Sequence, residues 1–161
     1  MSNFYIQANS PQVLATGNGV NVNGGVSPTL TSSLSLLVPA NTLKNGDIMQ
    51  LYGLFERVAG GTSTQTTRVY YNTTNSLVGA TLLAGFQNMN INQMHAFTRS
   101  FYYDGTNIYN FTSGSGVAHD YQSVARGSFA YTASNDYYFL FSILPVASSV
   151  GKCNKAVIMK W

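Results

Sequence analysis

The sequence predicts an all-β protein folded as a two-sheet antiparallel sandwich. Three observations carry this expectation. Apolar residues recur at every second position in short runs, as at Leu34, Leu36 and Val38 or Met49, Leu51 and Phe55. The runs are separated by Gly, Asn and Asp turn signals, and the chain holds 15 Gly but only 4 Pro. No window carries its apolar residues at a helical period. With 161 residues the chain has the size of one domain, which buries about 70% of the surface its unfolded form exposes.

Residues 1–30 read as an extended N-terminal arm or attachment segment, and residues 31–161 as the sandwich domain. The stretch from Thr16 to Gly25 is Gly- and Asn-rich with alternating Val. It suits either an arm or a hairpin turning at Asn23-Gly24. Leu34, Leu36 and Val38 share one face of the first domain strand, which Pro39-Ala40-Asn41 ends. Asn45-Gly46-Asp47 is a turn. A long strand then runs from Ile48 to about Val58, with Met49, Leu51 and Phe55 on one face and Ile48, Tyr52 and Leu54 on the other. Two apolar faces on one strand predict a second sheet against one and a neighbouring subunit or element against the other.

Gly60-Gly61 is a loop, and Thr64–Thr74 alternates polar residues around Val69, Tyr70 and Tyr71. Leu77–Phe86 is a shorter apolar segment. Met94–Tyr103 is a strong strand, and Asp104-Gly105 turns it into Asn107–Phe111, the clearest hairpin in the chain. Ser113–Gly116 is a loop and Val117–Ala125 a further strand. Asp136–Leu144 places Tyr137, Phe139, Phe141 and Ile143 on one face, with Tyr138 and Leu140 on the other. Ala156–Lys160 is the last strand. Eight to ten such strands point to a sandwich of the jelly-roll type.

Charged residues make up 8% of the chain, against roughly 25% in an ordinary soluble domain. The polar complement is Asn, Thr, Ser, Gln and Gly. Such a surface forms hydrogen bonds but costs little to desolvate when copies pack together. The composition therefore points to an assembled, adhesive β-protein and away from an enzyme. The net charge of +3 comes from dispersed residues. Arg57, Arg68, Arg99 and Arg126 stand alone and only Lys152, Lys155 and Lys160 cluster, so a nucleic-acid partner is not expected. The longest apolar run, near Tyr137–Val146, is too short to insert into a membrane as a helix. The N-terminus Met1-Ser2-Asn3-Phe4-Tyr5 lacks the basic and apolar regions of a secretory signal. Cys153 is the single cysteine and reads as a buried, inert thiol.

The five carboxylates are Asp47, Glu56, Asp104, Asp120 and Asp136. Asp47, Asp104 and Asp136 sit where Asp bonds its own turn backbone, and Glu56-Arg57 reads as a solvent-facing strand end. Ser115, His119 and Asp120 contain triad residue types, but neighbours on a strand point to opposite faces, which spoils the geometry. His95 reads as a packed histidine. Two lone His and one Cys lack metal-ligand spacing, so no catalytic residue, metal or cofactor is expected. Binding suits the hairpin better. Tyr102, Tyr103, Asp104, Asn107 and Tyr109 bracket its turn and offer aromatic faces with polar side chains, a combination that suits sugars. The competing reading is a Tyr-rich hairpin packed against a symmetry mate.

The run Leu36-Leu37-Val38-Pro39-Ala40-Asn41-Thr42-Leu43-Lys44-Asn45-Gly46-Asp47-Ile48 resembles a phrase of jelly-roll virion proteins of tailed bacteriophages, of the tail-fibre, head-fibre or decoration type. Arg99-Ser100-Phe101-Tyr102-Tyr103-Asp104-Gly105-Thr106 is similar to the central hairpin of the same modules. The likeness runs from about Leu34 to the C-terminus. It implies a structural or adhesive virion component: a homotrimer or other symmetric oligomer, displayed on the capsid or tail. Its implied partners are other virion proteins, reached through the N-terminal arm, and host-surface polysaccharide. It implies no catalytic residues. Unlike a long fibre protein, this chain has no coiled-coil heptads or β-helical shaft. A free-standing carbohydrate-binding module or lectin is the alternative.

Overall fold

The period of two in the sequence becomes a period of two in burial. In the strand Ile48–Ala59, Met49, Leu51 and Phe55 are fully buried while Gln50, Tyr52 and Leu54 are partly exposed. In Tyr137–Leu144 the core set is Tyr137, Phe139, Phe141 and Ile143, as the alternation predicts, but Leu140 and Ser142 on the opposite face are buried as well. The computed structural model describes residues 10–27, 29–60, 65–89, 94–110 and 127–161. Among these there is no helix, and the strands form two antiparallel sheets packed as a sandwich.

In chain order the strands are β1 (Gln12–Gly17), β2 (Asn21–Asn23), β3 (Thr31–Val38), β4 (Ile48–Ala59), β5 (Gln65–Asn72), β6 (Thr81–Met89), β7 (Met94–Tyr103), β8 (Asn107–Asn110), β9 (Ser128–Ala130), β10 (Tyr137–Leu144) and β11 (Val150–Lys160). The larger sheet runs β1-β11-β4-β7-β8-β9, with β2 also on β11. The smaller runs β3-β10-β5-β6. The pairing is nested: β1 meets β11, β3 meets β10, β4 meets β7 and β5 meets β6. Leu36, Val38, Val69 and the inward side of β10 face Met49, Leu51, Phe55, Phe101 and Ile158 across one core.

The first departure from the sequence reading concerns residues 1–30. β1 pairs with Ala156–Lys160 and β2 with Val150–Lys152, so the two form one interrupted edge strand along β11. Between residues 10 and 27 there is thus neither an extended arm nor a hairpin at Asn23-Gly24; residues 1–9 lie outside the described residues. Val22 is buried in the core, which fixes this segment to the domain. β11 also begins at Val150, six residues before the expected Ala156, because pairing with β4 carries Lys152, Asn154 and Lys155 into the sheet despite their polarity. β6 starts at Thr81, after a bend-rich stretch that includes the Leu77 expected to open it. β9 carried too short a pattern to be read. The expected strand Val117–Ala125 falls outside the described residues.

The second departure is Arg57. Counting inward positions from Met49 by twos reaches Arg57, and its side chain is fully buried where a solvent-facing strand end was expected. Its Nη2 donates to the Gly60 carbonyl. Gln65, Thr67 and Arg99 are buried too, so the inner layers are not uniformly apolar.

The break between β1 and β2 has a physical cause in Ser33. Its hydroxyl donates to the Val20 carbonyl at 2.6 Å and accepts the Cys153 N–H at 2.9 Å. The Val20 N–H donates to the Ser33 carbonyl at 2.8 Å, and the Gly19 N–H to the Cys153 carbonyl at 2.7 Å. A residue of the smaller sheet thus stitches the edge strand to β11 of the larger one. A Cβ at Gly19 would lie 2.5 Å from Ser33 Oγ and 2.7 Å from the Cys153 carbonyl oxygen, so only glycine passes between the sheets here. Ser33→Ala leaves the buried Cys153 N–H without its acceptor, and the expected loss is about 1–3 kcal/mol of stability. Urea denaturation of the two proteins measures it; an unchanged midpoint contradicts the stitch.

Candidate functional site

The hairpin singled out by the sequence is present, but its residues divide by face. β7 and β8 pair Tyr102 with Tyr109 and Tyr103 with Ile108. Neighbours on a strand point oppositely, so Tyr103 turns into the core and is 2% exposed, whereas Tyr102 faces out at 37%. The Tyr103 hydroxyl donates to the Gly105 carbonyl at 2.8 Å, and its ring meets Tyr131 edge-on at 5.3 Å. Tyr103 therefore belongs to the fold and not to a binding surface. Tyr131 stacks on Tyr137 at 4.2 Å, and Tyr137 lies 5.5 Å from Tyr71, which continues to Phe139. Burial pushes the Tyr131 phenol well above its usual value and raises that of Tyr71.

Asp104 is the cap of the turn. Its Oδ1 accepts the Thr106 and Asn107 N–H groups at 2.8 and 2.7 Å, and its Oδ2 accepts the Tyr109 hydroxyl at 2.8 Å. These bonds, that of Asn107 foremost, hold its carboxyl below the usual range. With three donors on the carboxylate, Asp104, Asn107 and Tyr109 are arranged to rigidify the turn. The other described carboxylates also hold loops and strands in place. Asp47 Oδ2 accepts the Lys44 N–H at 2.9 Å and pairs with Lys160 Nζ at 3.1 Å. Glu56 accepts from the Asn154 amide, and Asp136 from the Ala40 N–H at 2.8 Å. His95 is half-buried on the register pair with Phe55. Cys153 is fully buried, and burial pushes its thiol up to about 12, which keeps it protonated and unreactive at neutral pH. Among the described residues no group of His, Cys, Asp and Glu could hold a metal. Ser115, His119 and Asp120 lie outside the described residues.

What the hairpin joins is more informative than the hairpin itself. The rings of Tyr102 and Tyr109 lie 6.5 Å apart on the outward face of the larger sheet. The register sets Tyr102 beside Ile48, Ser100 beside Gln50 and Met159, Thr98 beside Tyr52 and Val157, Ala96 beside Leu54 and Lys155, and Met94 beside Glu56 and Lys152. Met94 is 60% exposed and Val13, on the adjoining edge, 56%. On this outward face the charges lie at one end, at Glu56, Lys152 and Lys155, while Lys160 ends β11 at the other, paired with Asp47. The predicted second face of β4 therefore carries apolar residues across four strands, interrupted at its centre by Gln50, Thr98 and Ser100.

Sequence reasoning missed a loop hollow. The chain after β3, the chain after β5 and the chain before β10 border a shallow open depression of about 450 Å³ lined by Ala40, Thr73, Ser134, Asn135 and Asp136. Its polar residue types were visible, but they come from three distant segments that only the nested strand order assembles. No family model matches this chain, and no curated protein matches it either.

The lowered Asp104 carboxyl sets the sign of a pH effect. A depressed carboxyl favours the folded state above the ordinary carboxylate value of about 3.9, and this contribution disappears as pH falls through the folded value. Asp104→Asn keeps an acceptor oxygen and removes the proton. Its unfolding midpoint is expected to vary less with pH on the acid side than that of the parent protein, as urea titrations at a series of pH values would reveal. Identical acid limbs contradict this account of the turn.

Proposed function

We propose that this chain is a non-catalytic structural and adhesive subunit, a jelly-roll component of a tailed-phage virion that works as a homo-oligomer. The observation that carries the proposal is the outward face of the larger sheet. A face with this much apolar surface, and with its few charges at one end, is costly to leave in water and cheap to cover with another protein surface. Low overall charge supports the same reading, because copies approach one another with little repulsion. The nested pairing of first with last strand supports the jelly-roll reading, which the resemblance carried by Leu36–Ile48 suggests. A trimer is the expected state. In this reading the subunit also meets other particle proteins, though not through a detachable arm of 30 residues, because β1 and β2 are built into the sheet. Its adhesive partner is host-surface polysaccharide.

The test is solution mass. Light scattering on the purified chain is expected to give a multiple of the 17.4 kDa subunit. Thr98 is exposed at the centre of the face, opposite Tyr52. Thr98→Glu places a charge there without disturbing the core, and is expected to release single subunits with unchanged near-ultraviolet circular dichroism. A parent protein that scatters as a lone subunit at micromolar concentration overturns the proposal.

A further inference from the structure

A second hollow lies where β1 and β4 begin and β11 ends. It encloses about 270 Å³ and is lined by Ser10, Gln12, Asp47, Lys160 and Trp161. We propose that it binds a single neutral sugar ring. The inference deepens the adhesive half of the proposed function and rests on that half alone.

Four features of the hollow point to this ligand class. The indole of Trp161 is 38% exposed, and its backbone is fixed by two bonds with Ile48: the Trp161 N–H donates at 3.0 Å and its carbonyl accepts at 3.2 Å. An exposed indole on an anchored backbone gives the apolar C–H face of a sugar ring a surface to rest on. Next, Lys160 Nζ donates to the Thr42 carbonyl at 2.8 Å and to Asp47 Oδ2 at 3.1 Å, while Asp47 Oδ2 also accepts the Lys44 N–H. The ammonium and the carboxylate are thereby set in place before any ligand arrives.

The third feature is the balance of charge. Among the side chains that line the hollow, the ammonium and the carboxylate offset one another's charge. An anion would meet Asp47 and a cation Lys160, so a neutral ligand enters at the least cost. Adjacent hydroxyls, each donor and acceptor, complement a carboxylate and an ammonium in direct contact. Gln12 and Ser10, both exposed, add an amide and a hydroxyl at the rim. Last, the hollow is small, about 270 Å³, and open to solvent, which suits a single ring resting on its rim. The loop hollow at Asp136 contains no aromatic side chain among its lining residues and does not share this chemistry.

Trp161 is the only tryptophan of the chain, so its fluorescence reports on this hollow and nothing else. The experiment titrates the purified chain with glucose, galactose, mannose and N-acetylglucosamine at millimolar concentrations. Glucuronate and adenosine serve as the charged and the flat aromatic comparisons. At least one neutral sugar is expected to give a saturable change in emission, together with saturation-transfer signals on its ring protons. Gln12→Ala is expected to weaken that sugar roughly three- to tenfold, the worth of one hydrogen bond, with solution mass and melting temperature unchanged. Trp161→Phe is expected to reduce the saturation-transfer signals. No saturable response to any neutral sugar overturns the proposal, and so does equal or tighter binding of glucuronate or adenosine. A sugar response from a protein that scatters as a single subunit leaves this site standing and removes only the oligomer. A multiple mass without sugar binding does the reverse.

Discussion

Phe55 on β4 and Phe141 on β10 meet across the gap between the two sheets with ring centroids 6.4 Å apart. The rest of the structure depends on this meeting of inner layers. A sheet with one apolar face has no stable form in water until a second sheet covers it. Each buried aromatic ring removes 150–250 Å² from water, roughly 4–6 kcal/mol of gross transfer free energy before ordering costs. With few charges available, ion pairs contribute little to the fold; the 3.1 Å pair between Asp47 and Lys160 ties one turn to one strand. The hydrogen bonds of Ser33, Tyr71 and Tyr103 then settle where the apolar layers come to rest, because each ends on a particular backbone group.

Much of the sandwich was legible because its pattern is local. Met49, Leu51 and Phe55, and Tyr137, Phe139, Phe141 and Ile143, announce their faces by alternation alone. The Asp104-Gly105 turn is legible for the same reason: Asp bonds the next backbone N–H groups and Gly takes the positive φ of 96°. What failed was long-range. Gly and Asn in residues 16–25 look like a loose segment until β11 supplies a partner more than a hundred residues away. Arg57 looked exposed because its charge was weighed above its place in the alternation. The same lesson applies to the hairpin. Tyr102 and Tyr103 are adjacent in sequence and were grouped as one surface, yet the pleat sends one out and one in. Tyr71, Tyr103, Tyr131 and Tyr137 build the core. The two hollows were out of reach altogether. Asp47 and Lys160 are brought together by strand order, and no spacing rule encodes that.

The two faces of the larger sheet differ in what they demand. The inner face is satisfied within the subunit. The outer one carries Tyr52, Leu54, Val157 and Met159 only partly covered, beside Ile48 and Tyr102. A neutral, amide-rich surface around such a face permits contact without selecting strongly by charge. Selection then falls to shape and to hydrogen bonds at the rim, as it does where non-obligate protein surfaces meet.

The union of β1 with β11 also has a kinetic side. Thr16 bonds the Ala156 carbonyl over a sequence separation of 140 residues, and every pair but β5–β6, β7–β8 and β8–β9 encloses another. On the ribosome, the earliest strand is made long before the residues that complete it. Until β11 emerges, its partners β1 and β4 must wait with open edges, at the slow end of folding rates for a topology of distant contacts. Synthesis thus passes through an interval in which nascent chains can capture one another, and crowding copies on one message would make that interval the riskiest moment in the life of the molecule.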